Sequence, residues 1–135
     1  MNWLALPKID CHCHVLDAQR FPFGPDIPYH PQGQELGTSD YFAHVMDAYG
    51  VRHALLVGPN SGYGLDNRCL LDAIERGAGR FKGIAVAGPD TSLSDLRRLQ
   101  SQGVVGIAFN SALHGLDHYA DTDPLLSRLA SLGMW

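Results

Sequence analysis

Ala54-Leu55-Leu56-Val57-Gly58-Pro59-Asn60-Ser61-Gly62-Tyr63-Gly64 decides the fold. Its first four residues are apolar without alternation, as in a strand covered on both faces, and that is the habit of parallel sheets. The glycine- and proline-rich remainder ends the strand and opens a loop. A strand is therefore expected over His53–Gly58. The same pattern returns in Ile84-Ala85-Val86-Ala87, within a strand expected over Phe81–Ala87, and again over Val104–Asn110. A first strand is expected over Lys8–Val15.

Amphipathic segments with helix punctuation lie between these strands. The first starts near Thr38 or Ser39, carries Phe42, Val45, Met46 and Tyr49 on one side, and stops at Gly50. The second starts near Asp66 or Asn67, buries Leu70, Leu71 and Ile74, and ends at Gly77 and Gly79. In the third, Ser92 is the N-cap, Asp95 approximates a capping box, and Gly103 is the stop. The fourth has Asp123 as N-cap, Pro124 at the first helical position, a Leu125, Leu126, Leu129, Leu132 stripe, and Gly133 at its end. Strands alternating with such helices imply an α/β fold with a parallel sheet and right-handed crossovers.

The loops are unequal. Helix-to-strand connections are short, whereas the strand-to-helix connections 16–37, 58–64 and 111–120 are longer and chemically richer. Ligands of parallel α/β folds bind at the carboxyl ends of the strands, where these long loops lie.

The end of the first strand reads Ile9-Asp10-Cys11-His12-Cys13-His14. Strand alternation puts His12 and His14 on one side and Cys11 and Cys13 on the other. Two imidazoles at a strand end can ligate a divalent metal or polarise a carbonyl. Asp10 shares their parity and is expected to orient them. The thiols are expected to face the covering helices as small apolar groups, like Cys69, with a soft-metal cluster as the alternative.

Further candidates follow from placement. Asn60 or Ser61 would hydrogen-bond a substrate oxygen, unless loop 58–64 is a plain glycine-rich turn. That loop lacks the phosphate-binding spacings. Asn110 would point inward at the end of the fourth strand beside Ala108, with Phe109 on the opposite parity and His114 entering the same pocket. Tyr29, and Arg20 less directly, would reach the ligand from the proline- and aromatic-rich first loop. His118 reads as exposed, and His44 and His53 as structural.

Composition narrows the partners. The chain has 135 residues, with 10 Lys and Arg against 14 Asp and Glu, a formal charge of −4. That is one domain's length. The acidic balance argues against nucleic acid or a membrane surface and leaves a small-molecule substrate. No apolar run approaches a membrane span of ~18–20 residues. The N-terminus lacks a basic-then-apolar signal pattern, and three cysteines are too few for a disulfide framework. Together these suggest a cytoplasmic protein.

Ile-Asp-Cys-His-Cys-His-Val (9–15) resembles the first-strand signature of the amidohydrolase superfamily. The likeness is to its amidohydrolase-related branch, and within that to the 2-pyrone-4,6-dicarboxylate lactonase group. Pro-Tyr-His-Pro (28–31), Leu-Leu-Val-Gly-Pro-Asn (55–60), Asp66-Asn67-Arg68, Phe-Lys-Gly-Ile-Ala-Val (81–86) and Gly-Val-Val-Gly-Ile-Ala-Phe-Asn (103–110) extend the resemblance in order. The resemblance implies a distorted (β/α)8 barrel and hydrolysis of a lactone or related bond. It gives His12 and His14 polarising or ligating roles, and places a water-activating aspartate after the eighth strand. Some such relatives use a divalent metal, zinc or manganese, and include decarboxylases and amide hydrolases; the pyrone lactonases work without one. Ala108 and His114 stand where the lactonase group has arginines that grip a substrate carboxylate, so a less anionic lactone is expected.

A complete barrel takes ~250 residues. Four βα units therefore correspond to the N-terminal half of a TIM-like barrel. Such a half is expected to lack the general base and to associate, either with a second copy as a binding or assembly module or with a missing C-terminal half.

Overall fold

The computed structural model describes residues 6–135. Four strands, β1 (Lys8–Cys13), β2 (Val51–Val57), β3 (Phe81–Val86) and β4 (Val104–Ala108), alternate with α1 (Ser39–Tyr49), α2 (Arg68–Arg76) and α3 (Leu93–Ser101). After β4 come a one-turn helix α4 (Ser111–His114), a 3-10 turn (Asp117–Tyr119) and α5 (Asp123–Leu132). All neighbours pair in parallel, in the order β1-β2-β3-β4. A sheet whose order follows the chain without reversal winds as a barrel does; a doubly wound sheet reverses at a switch point.

The helix ends follow local chemistry. Thr38 Oγ1 accepts the Tyr41 N–H at 3.2 Å, and Gly50 closes α1 in the left-handed region at φ 67°. Ser92 Oγ accepts the Asp95 N–H at 3.1 Å. The start of α5 differs from expectation. Thr122, not Asp123, is the N-cap, and its hydroxyl turns back to donate to the Tyr119 carbonyl at 2.8 Å.

The helices pack on one side of the sheet, around Leu56, Leu96 and Leu125, each 0% exposed, with Met46 and Val104 at 1%. Burying each such side chain stabilises the fold by about 1.5–3 kcal/mol. Gly83 lets α2 lie close over β3, because a Cβ there would lie 2.6 Å from Ile74 Cδ1 of α2. Tyr49 leaves the expected α1 stripe and is exposed, while Met46 anchors the helix.

Two strands depart from the expected alternation. In β1 the pairing steps from Asp10 opposite Ala54 to Cys13 opposite Leu56, three residues against two. That bulge re-aims every side chain beyond it. The fourth strand stops at Ala108, two residues early, because Asn110 caps α4. On the far side of β4, the Trp135 N–H donates to Val105 and its carbonyl accepts from Ile107, both at 2.9 Å. Gly106 faces this pairing. A Cβ there would lie 2.6 Å from the Trp135 oxygen.

Candidate functional site

At the carboxyl ends of the strands lies a pocket of roughly 530 Å³. β1 supplies His12 and His14, and the first loop supplies Leu16, Tyr29, Pro31 and Glu35. The β2 end adds Val57 to Ser61, and the β4 end adds Ala108, Phe109, Asn110 and Leu113. A larger groove between α2 and α3 is walled by the self-paired ions Asp66–Arg68 and Asp95–Arg98 and holds no histidine or thiol.

The two motif histidines face the same space, with ring centroids 5.1 Å apart and planes nearly perpendicular. His14 Nδ1 lies 2.7 Å from the Val57 carbonyl. A carbonyl only accepts, so Nδ1 carries the proton and a neutral His14 ring turns the lone pair of Nε2 outward. The orienting contact expected from Asp10 thus comes from the neighbouring strand.

Asp10 has a different task. The bulge removes the ladder partner of the His12 N–H, and Asp10 Oδ1 accepts it at 3.0 Å. The bulge also brings Asp10 round to Cys13. Burial, and then the Asp10 charge, push the Cys13 thiol up from 9.0 to about 12. Cys13 packs against the helix-side core, and Cys69 is buried in it. Cys11 is exposed, contrary to the expectation that both strand thiols face the helices. Among the described residues no three His, Cys, Asp or Glu side chains converge as a metal cluster, which leaves the soft-metal alternative without its ligands.

Tyr29 donates its hydroxyl to Glu35 Oε1, and Glu35 Oε2 accepts the Gln32 N–H at 3.0 Å. These bonds hold the Glu35 carboxyl below the usual carboxylate range, so it is ionised at neutral pH. Glu35 is not among the residues that the sequence singles out. Its signal was the capping-box spacing Gln32-x-x-Glu35, which the structure realises in a 3-10 turn.

The first loop is fastened at both ends and at its crown. Leu16 N–H donates to the Gly37 carbonyl at 2.9 Å, closing its base. Gly24 N–H donates to Gly62, and Gly62 N–H to Tyr29, each at 2.9 Å, stitching it to loop 58–64. Phe23 packs edge-on against Tyr63, whose hydroxyl accepts the Asp17 N–H at 3.0 Å. Arg20 does not reach the pocket. It forms a fork on Asp72 of α2 at 2.6 and 2.7 Å.

On the opposite wall, Asn110 Nδ2 donates to Asn60 Oδ1 at 3.2 Å, joining the β2 and β4 ends past β3. Asn110 Oδ1 accepts the Leu113 N–H at 3.0 Å as the cap of α4, and its own N–H donates to the Tyr119 hydroxyl at 2.8 Å. Asn110 is thus a strut as much as a ligand group. Ser61 lines the pocket beside it. His114 is not brought in. It stacks on His118 at 4.7 Å, and both rings are exposed. Phe109, expected on the opposite parity, and Leu113 of α4 form the wall instead.

Asn67 shows why the resemblance of 66–68 has a structural basis. Its Nδ2 donates to the Val86 carbonyl at 2.8 Å and its Oδ1 accepts the Val86 N–H at 2.9 Å. One side chain thereby supplies a strand-like pair of bonds to the end of β3.

Comparison with known proteins agrees with this architecture. A 2-pyrone-4,6-dicarboxylate hydrolase of Comamonas testosteroni is 30% identical over 147 aligned positions, which take in 98% of this chain and 47% of that protein. A 4-sulfomuconolactone hydrolase of Rhizobium radiobacter is 35% identical over 108 positions, 78% of this chain and 35% of its own length. The crystal structure of a "probable 2-pyrone-4,6-dicarboxylic acid hydrolase" from Acinetobacter baumannii, with citric acid bound, superposes with a TM-score of 0.77. It is 27% identical and covers 94% of this chain with 47% of its own. The chain spans about half the length of the curated relative it matches end to end, and its four parallel strands with their helices form half of a TIM-like barrel. The family model described as amidohydrolase matches residues 9–135, and the chain belongs to that family.

Proposed function

We propose that this chain carries the histidine-bearing half of the active site of a lactone hydrolase. The observation that carries the reading is the pair His12 and His14, held in one pocket at 5.1 Å with Nδ1 of His14 fixed by Val57. A protonated His14 would offer Nε2–H to an ester carbonyl, and a neutral one an acceptor. Tyr29, Asn60 and Ser61 surround the space a ring would fill. The names of the relatives, which are lactone hydrolases, support the choice of bond.

A divalent metal, zinc or manganese, is the other way to use the same pair. Two imidazoles with no third donor among the described residues fall short of the three protein ligands of a catalytic zinc site. No step is therefore routed through a metal. A metal-dependent decarboxylase or amide hydrolase remains the runner-up, supported by the outward lone pair of His14.

The test is lactone hydrolysis by this chain alone and mixed with a separately produced C-terminal half of the Comamonas relative. Turnover is expected only in the mixture, lost in His12→Ala and His14→Ala, and retained after chelation. Activity that disappears with chelator and returns with zinc or manganese selects the metal reading. Turnover indifferent to both histidines sinks the proposal.

A further inference from the structure

We propose that Tyr63 is a positioning residue for His14, acting through a buried hydrogen-bond relay that fastens the chain just past the histidine to the loop bearing Asn60 and Ser61. The inference rests on the hydrolase reading, in which His14 is a working group, and adds what holds it in place.

The bulge leaves the end of β1 without a regular ladder, so the backbone of 15–17 needs other partners. Val15 and Leu16 are buried, and the Leu16 N–H goes to Gly37. The remaining bonds form one relay. The Asp17 N–H donates to the Tyr63 hydroxyl at 3.0 Å, that hydroxyl donates to the Cys69 sulfur, and the Cys69 thiol donates to the Val15 carbonyl at 3.7 Å. The relay thus starts and ends on the segment that follows His14. Burial pushes the Tyr63 hydroxyl and the Cys69 thiol up, so both keep the protons the relay needs at neutral pH. Tyr63 is 5% exposed and Phe23 packs on its ring, so water has little room to replace a lost bond.

The same loop also aims the histidine ring. It begins at Val57, whose carbonyl lies 2.7 Å from His14 Nδ1, and reaches Tyr63 at its other end. Two fasteners, one on the ring and one on the backbone downstream, therefore come from one loop. That loop is closed on itself by the Gly64 N–H on the Asn60 carbonyl at 3.0 Å and the Asp66 N–H on the Tyr63 carbonyl at 2.9 Å. If Asp17 is freed, the end of β1 can shift while Val57 stays in the sheet. The single bond from Nδ1 is what such a shift breaks.

Tyr63→Phe keeps the ring against Phe23 and deletes both bonds of the hydroxyl. Long-range proton–nitrogen NMR spectra of the isotope-labelled chain read the His14 tautomer directly. The unsubstituted chain is expected to hold the Nδ1–H form, and Tyr63→Phe to lose it to a mixture with Nε2–H. Cys69→Ala, which cuts only the far end of the relay, should lose it in part. Leu125→Val, a core change in α5 outside the relay, should lower stability without moving the tautomer. In the reconstituted enzyme Tyr63→Phe should lower kcat about tenfold with KM within about twofold, because a reacting group is misplaced and no binding group is removed. An unmoved tautomer in Tyr63→Phe, or in Cys69→Ala where Tyr63→Phe does not fold, overturns the proposal. So does an equal change in Leu125→Val. The two readings fail separately. A shifted tautomer in a chain that hydrolyses no lactone when reconstituted removes the function alone, and hydrolysis with an unmoved tautomer removes the positioning role alone.

Discussion

The carboxyl ends of β1 and β4 form facing walls of one pocket, yet they are held by different means. At β1 the strand is bulged, His14 is aimed by an adjacent carbonyl with the His12 ring set against it, and the loop that follows is tied down along its length. At β4 the strand stops early, and one asparagine joins the wall, the helix cap and the opposite loop. The first arrangement spreads its restraint over many backbone bonds. The second concentrates it in a single side chain. The difference teaches where substitutions should matter for chemistry and where for shape.

Four substitutions would break or sharpen that contrast. The largest effect is expected from His14→Ala in the reconstituted enzyme, a loss of kcat of about 10²–10⁴-fold, the range for a positioned acid–base group. An unchanged melting temperature beside that loss would assign β1 to chemistry. Gly62→Ala comes next. Gly62 sits at φ 74°, with the Phe23 ring where a Cβ would go, so about 1–3 kcal/mol of stability should be lost in a denaturant titration. Asn110→Ala should cost about 1–2 kcal/mol through the cap and weaken ligand binding at once, because Asn60 loses its partner. If Asn110→Ala left both unchanged, the single-strut description of β4 would fail.

The last effect, absent at neutral pH, is a pH dependence at β1. Native Cys13 holds its proton to about pH 12, whereas the unfolded thiol releases it near its ordinary 9.0. Between those values the unfolded state binds fewer protons, so stability should fall as pH rises from about 9 toward 12. Cys13→Ala should flatten that slope, measured by urea titration at several alkaline pH values. An unaltered slope would place the alkaline loss elsewhere.

The same contrast explains what the sequence could reveal. Continuous apolar runs marked β2 and β3, and Thr38, Gly50 and Ser92 marked helix ends, because each of these signals is local. His12 and His14 were legible by spacing. Asp10, Cys11 and Phe109 were misplaced by the alternation rule, which holds only while the ladder is regular, and His114 by its nearness to the end of β4. A bulge between Asp10 and Cys13 and a cap at Asn110 end that regularity; the bulge is set against Ala54 and Leu56 of β2, and Asn110 is held by Asn60 across the pocket as well as by its local cap bond to Leu113. Glu35 was hidden for another reason. Its spacing to Gln32 was visible, but only the folded first loop carries it into the pocket.

Trp135 adds an optical consequence to its place beside β4. Its backbone is pinned between Val105 and Ile107 while its indole is 86% exposed. An indole in water emits at long wavelength, and one covered by protein emits further to the blue. With Trp3 replaced by phenylalanine, the fluorescence of Trp135 becomes a built-in gauge of whether anything lies along that edge of the sheet.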